Sequence, residues 1–211
     1  MKLPRPYMSW SSYFLFKRSP KEWVKRYVYG EKGPTSKWYE FGKMVSLARE
    51  EGIESNDPMV QHLVNFVPSY PHTNYEMTAT VMIDGKKVKL LGKFDGVDLR
   101  AHIIGEDKSG LATHVTKSGN ISKEWNQKKV DTWEQLTWYS YIYKKSVGRI
   151  PRLRLHWFET VEKNGEIQAT GNVKTFSTTR TVRDFIVLQA NINKVYRGMI
   201  EAIKAEEVKA F

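Results

Sequence analysis

Hydrophobic and polar positions divide the chain between two periods. Between residues 75 and 108 they alternate. Met77, Ala79, Val81 and Ile83 fall on one side of an extended segment, and Val88, Leu90 and Phe94 of the next segment join them, because residues two apart share a strand face. Asp84-Gly85 between the two segments is a strong hairpin signal. The same reasoning predicts a hairpin over 152–162 and 166–176, joined at Asn164-Gly165. Helices are predicted near 9–29 and 36–51, separated by the breaker Glu31-Lys32-Gly33-Pro34, and over 124–145. A last one spans 181–206, with Val182, Phe185, Ile186, Ile192, Val195, Met199 and Ile203 facing inward. Residues 109–123, with Gly110, Ser118, Gly119, Asn120 and Ser122, read as a polar mobile loop. No repeat, linker or low-complexity tract intervenes. The expectation is one α/β domain over 1–211: a central mixed β-sheet with an antiparallel meander, flanked by helices.

The register of the meander brings chemistry into view. The Asp84-Gly85 turn sets Glu76 opposite Lys93, and a second tight turn at Arg100-Ala101 pairs Asp95 with Glu106, whose Cβ atoms would then lie about 4.5–5.5 Å apart. That second turn lacks the usual Gly or Asn, and a one-residue slip would undo the pairing. In this register the face opposite the apolar one carries Glu76, Thr78, Lys93, Asp95, Glu106 and Lys108, while Asp98 and Asp107 point away from it. Two opposed carboxylates destabilise a bare sheet and ask for a cation. Magnesium fits, since it prefers oxygen, takes few protein ligands and keeps waters for substrate phosphate. Lys108 would stand beside it as a positive charge for the attacking water or the scissile phosphate. The plain alternative is a salt-bridged surface sheet in which Lys93 and Lys108 neutralise Glu76, Asp95 and Glu106.

The pattern G-x-x-D at Gly92–Asp95, then a spacer and (D/E)-x-K at Glu106-Asp107-Lys108, resembles the core of the PD-(D/E)XK nucleases, specifically their RecB-like branch. The resemblance implies a restriction-endonuclease-like core with Asp95 and Glu106 as metal ligands and Lys108 as the catalytic lysine. It also implies that the main-chain carbonyl of Asp107 completes the metal shell, and it matches Glu76 to an acidic residue on the preceding strand. Q-x-x-x-Y follows at Gln135 and Tyr139, one helical turn apart. In the branch this pair serves substrate binding, although Leu136, Tyr139 and Tyr143 at helical spacing also suit a core. Ser9-Trp10-Ser11-Ser12, Arg18-Ser19-Pro20 and Trp23 are similar to the opening of RecB-like domains.

Two departures narrow what the resemblance implies. The chain has no cysteine, which excludes an iron-sulfur cluster on thiolates. Where the branch carries G-x-x-x-H with a metal-binding histidine, Gly42–Ser46 has serine. Glu50, one turn later, is either a substitute ligand or a solvated charge at the helix end.

Composition and charge fit a nucleic-acid enzyme. Apolar residues make up 40% of the 211 and aromatics 13%, enough for a packed core. The net charge of +11 points to a polyanion, with DNA first and membrane lipid second. Basic residues cluster at Lys17–Arg26, Lys117–Lys129 and Lys144–Arg154, interleaved with Trp23 and Trp125, as suits phosphate tracking and base stacking. The five histidines have no ligand spacing and no G-x-S-x-G elbow occurs. No apolar run reaches membrane-spanning length and no signal-peptide pattern appears, so a cytoplasmic place in a bacterial cell or phage-infected host is expected. The expected function is a Mg2+- or Mn2+-dependent exonuclease acting on linear or single-stranded DNA ends in recombination, repair or phage DNA processing, with a recombination protein as partner. The alternatives are a nucleic-acid-binding accessory protein without turnover, motivated by Ser46, and an RNA endonuclease.

Overall fold

Turn chemistry sets the sheet. The computed structural model describes residues 3–33, 36–50, 57–111, 114–115, 121–122 and 125–209. β2 (His72–Ile83) and β3 (Lys86–Asp98) pair antiparallel about Asp84 and Gly85, both at positive φ, with Glu76 opposite Lys93 as expected. The other edge of β3 is shared. β1 (Met8–Ser9) pairs parallel with its first half at Leu90 and Leu91, and β4 (Ile103–Leu111) pairs antiparallel with its end, Gly96 facing Gly105 and Asp98 facing Ile103. This is the predicted register. Asp98 explains how the turn forms without Gly or Asn at Arg100-Ala101: its Oδ1 accepts the Arg100 and Ala101 N–H groups at 2.9 and 2.8 Å, and His102 takes the positive φ.

β4 then pairs parallel with β7 (Arg152–Lys163), which forms the predicted hairpin with β8 (Glu166–Thr178) about Asn164-Gly165. Among the described residues this gives a mixed six-stranded sheet, with β5 (His114–Val115) and β6 (Ile121–Ser122) forming a separate pair. The rest of the loop expected over 109–123 lies outside the described residues, apart from Ser109–Leu111 at the end of β4.

Two predicted helices are broken, each for a local reason. Within 9–29, Pro20 forces Ser19 into an extended conformation. The chain forms α1 (Trp10–Arg18), then α2 (Pro20–Trp23), capped by Ser19 and running into a π turn, Val24–Val28. Within 124–145, Trp133 is extended between α5 (Gln127–Thr132) and α6 (Glu134–Val147). α3 (Lys37–Glu50) occupies the predicted second helix, and α4 (Pro58–Phe66) has no counterpart among the expected elements.

The last helix, α7 (Val182–Lys209), buries Phe185, Leu188, Ile192, Val195, Tyr196, Met199 and Ile203. Val182 and Ile186, expected inward, are exposed. The buried stripe begins at Phe185, so Val182 precedes the core and Ile186 lies one position round from it.

Two apolar clusters cover the two sheet faces. The larger joins Val88, Leu90, Ile104, Leu155 and Trp157 with Leu136 and Ile142 of α6 and the α7 stripe. The smaller joins Phe41, Val45 and Ala48 of α3, Val60 of α4 and Phe158 of β7. Glu106 and Asp107, adjacent on β4, therefore point into different layers.

Candidate active site

The site lies where the pairing of β3 with β4 stops. Beyond the Gly96–Gly105 pair, the Asp107 N–H donates to Asp95 Oδ2 at 2.7 Å. The carboxylate takes over a main-chain partner's role. A Cβ on Gly96 or Gly105 would come within 2.3 or 2.5 Å of the Tyr70 ring, so both positions must lack a side chain for that ring to lie flat on the strand pair.

Asp95 also stands at a slip in alternation. Val88, Leu90 and Phe94 enter the larger core, and so does Val97, three residues after Phe94. Across from this step Asn74 has φ 52°, between the pairs Thr73–Gly96 and Tyr75–Phe94. The single polar face expected for Asp95, Glu106 and Lys108, opposite the helix-packed face, is therefore corrected. Glu106 is on the α6 side with Val97 and Ile104, 1% exposed.

There Gln135 Nε2 donates to Glu106 Oε1 at 2.7 Å and to the Tyr139 hydroxyl at 2.8 Å. Lys108 Nζ is 2.5 Å from the same Glu106 oxygen. Glu106 Oε2 is buried with no hydrogen-bond partner among the described residues. Burial, then the charge of Asp95, pushes the Glu106 carboxyl well above its ordinary range, against the pull of Lys108. Burial opposes the Lys108 charge, but Glu106 and Asp95 outweigh it and hold the ammonium above its usual value.

Asp107 points to the face opposite Glu106, where Arg49 of α3 forms an ion pair with its Oδ2; expected to point away from Asp95 and Lys108, it shares a cavity wall with them. The Arg49 guanidinium also donates to Pro68 O at 3.5 Å. Burial raises Asp107 to about 6, with Arg49 opposing and Asp95 assisting. Beneath it the Tyr70 hydroxyl meets His156 Nε2 at 2.8 Å, and His156 Nδ1 meets Thr175 Oγ1 at 2.9 Å.

A cavity of about 380 Å³ opens between α3 and the sheet, lined by Tyr39, Gly42, Lys43 and Ser46 on one side and Asp95, Asp107, Lys108 and Ser109 on the other. Asp95, Lys108 and Ser46 thus converge on one opening, with Glu106 behind Lys108. Glu76 does not join them, being exposed on β2 opposite Lys93. Gln135 and Tyr139 are buried beneath Glu106 and are absent from the cavity wall. The Glu50 side chain lies outside the described residues. Among the described residues no three His, Cys, Asp or Glu side chains gather as a metal-holding group.

Sequence reasoning passed over Arg49, Tyr70 and Arg180. Lys108 Nζ lies 5.4 Å from the Trp133 ring. Arg180, 3% exposed, fixes that tryptophan's backbone by donating to Val130 O, Trp133 O and Thr137 Oγ1 at 3.0, 3.1 and 2.7 Å. No local pattern marks either arginine. Tyr70 could have been sought as the cover that Gly96 and Gly105 require.

No protein-family profile and no curated protein sequence matches the chain. Solved structures do. A candidate exonuclease from Eubacterium rectale superposes with a TM-score of 0.60 at 14% identity, over 93% of this chain and 82% of that one. The protein SSO0001 matches with a TM-score of 0.44 at 13% identity, over 90% of this chain and 69% of the other. The first likeness establishes a shared fold, an α/β architecture with a mixed six-stranded sheet flanked by helices.

Proposed function

We propose that this protein is a metal-dependent nuclease of the PD-(D/E)XK type that hydrolyses phosphodiester bonds in DNA, acting as an exonuclease on linear or single-stranded ends. The observation that carries the reading is the meeting of Asp95, Glu106 and Lys108 beside one cavity, with Glu106 Oε2 buried and unpartnered among the described residues. The fold shared with a candidate exonuclease supports it.

The donor set fits Mg2+ or Mn2+. The charge of Asp95 adds to the cost of ionising the buried Glu106, beyond what Lys108 offsets, and a hard cation takes few protein oxygens. Asp95, Glu106 and the Asp107 carbonyl would hold it. Bound there, such an ion supplies Lewis acidity and a water acidified for attack. Lys108, on a flexible stem at the cavity, orients the nucleophile or offsets charge developing on the phosphate. Gln135 holds the Glu106 carboxylate in place from below, and Tyr139 holds Gln135. These are positioning roles, in place of the substrate contacts expected from sequence.

End-labelled linear and circular DNA, with and without Mg2+ or Mn2+, tests this. Wild type should degrade the linear form only with metal, and Lys108→Ala should be slower by about 10²- to 10³-fold. If both proteins bind DNA and both are inert, the enzymatic reading fails. The second reading, a binding protein without turnover, then stands, as favoured by Ser46 at the position of the branch's histidine. Preferential cleavage of a matched ribose strand would indicate an RNA endonuclease.

A further inference from the structure

A second concavity, of about 530 Å³, lies at the far end of β3. Its wall includes Arg5 and Tyr7 of the N-terminal segment, Lys86, Lys87 and Lys89 at the start of β3, and Tyr196 of α7. Its charge follows from local structure. The Asp84-Gly85 turn starts β3 with three lysines in four residues, and alternation buries Val88 while Lys87 and Lys89 project to the other face. The parallel pairing of Met8 with Leu90 brings the N-terminal segment alongside. There the Arg5 guanidinium rests 5.0 Å from the Tyr27 ring.

None of these four cations forms an ion pair within 4.0 Å among the described residues, although the charge of Lys86 reaches Asp84. Asp84, the acid in the adjoining turn, is engaged by Arg197, which donates to its two oxygens at 2.8 and 2.6 Å. Unneutralised like charges on both walls of one groove repel each other until an anion enters. Successive phosphates on a polymer meet that need better than a single ion, and the tyrosine rings offer flat apolar surface to sugar or base.

We propose that this groove is a second, non-catalytic site that grips the sugar-phosphate backbone of nucleic acid. Asp95 lies six positions beyond Lys89, about 20 Å along an extended strand. A strand held at both places must span that distance, so the groove favours long substrates over short ones. The bridging role rests on the nuclease reading; the binding site does not.

Fluorescence anisotropy in metal-free buffer, with a long and a very short oligonucleotide over a range of salt, tests it. The triple variant Lys86→Gln, Lys87→Gln, Lys89→Gln should weaken binding of the long oligonucleotide by about tenfold or more and lower its salt slope by about 2 to 3. The short one, which cannot span both places, should be weakened less. Arg5→Gln, on a separate segment, should lower the slope by about 1. An unchanged slope in both variants overturns the proposal. So does an unchanged affinity for DNA together with lost binding to phosphatidylserine vesicles, which assigns the groove to a membrane. If Lys108→Ala and wild type prove equally inert while the triple variant loses DNA affinity, the nuclease reading fails and the groove stands. If wild type cleaves and the triple variant binds and cleaves long DNA unaltered, the groove fails alone.

Discussion

Glu106 and Asp107 are neighbours in the chain, the first buried and the second 11% exposed at its side chain, each with one oxygen unpartnered among the described residues. They differ in what the opposite layers offer them. From α6, Glu106 receives the neutral amide of Gln135, and its cation, Lys108, sits on a side chain 31% exposed at the cavity. From α3, Asp107 receives a guanidinium that is itself only 9% exposed and tied to Pro68 O. A carboxylate whose fixed partner is neutral keeps more of its demand for a cation than one clamped by an arginine, even where burial keeps both raised. On the proposed nuclease reading, Glu106 is therefore the one of the two left to take a metal ion. Asp107 works as a tie that locks α3, and with it the cavity wall, to β4.

The largest effect should come from breaking that tie. Arg49→Leu leaves Asp107 buried without its cation, and the expected loss is about 3–5 kcal/mol, measured by urea unfolding. Arg49→Leu combined with Asp107→Leu should recover most of it, because both buried charges are then gone. A single variant that unfolds at the wild-type midpoint would remove the contrast between the faces.

Next in size is the neutral side. Gln135→Leu removes a donor from Glu106 and from Tyr139, with an expected cost of about 1–3 kcal/mol. Because burial raises the Glu106 carboxyl even with Lys108 beside it, Glu106→Gln should cost little stability or add some and, on the proposed nuclease reading, abolish cleavage. A strong destabilisation by Glu106→Gln would place the two carboxylates in one class.

Much of this frame was legible in the sequence, for identifiable reasons. Asp84-Gly85 and Asn164-Gly165 are turns whose chemistry fixes register, and the register after Asp98 set Gly96 opposite Gly105, next to Asp95 and Glu106. The face of Glu106 was not legible. The alternation rule fails between Phe94 and Val97, and Asn74, of a residue type that tolerates positive φ without requiring it, does not by itself announce the slip. The arginines were hidden by distance along the chain. Arg49 meets Asp107 across 58 positions and Arg180 meets Thr137 across 43, and in a chain with 34 basic residues a buried arginine looks like a surface one. Both broken helices carried a clue in part. Pro20 after Ser19 is a break signal, but the extended Trp133 depends on Arg180.

The smallest effect per step should appear on the Asp107 face under acid. His156 is fully buried between the Tyr70 hydroxyl and Thr175 Oγ1, and burial, followed by the charges of Arg49 and Arg154, lowers it to about 3. It stays neutral in the fold while the unfolded chain takes up a proton below about 6.5. The unfolded state then binds more protons, so stability falls as pH drops from about 6.5 towards 3, by about 1.4 kcal/mol per unit from this group. Asp107 acts in the opposite direction between about 6 and its unfolded value, since its raised carboxyl protonates first in the fold. The two must be separated by difference. The stability gap between wild type and His156→Gln, read from unfolding curves between pH 7 and pH 4, should shift in the variant's favour as pH falls. A gap independent of pH would mean that His156 can be protonated in place, and that the Arg49 face accommodates additional positive charge. The α3 side would then be no more committed than the α6 side, and the assignment of the metal to Glu106 would have to rest on the cavity geometry alone.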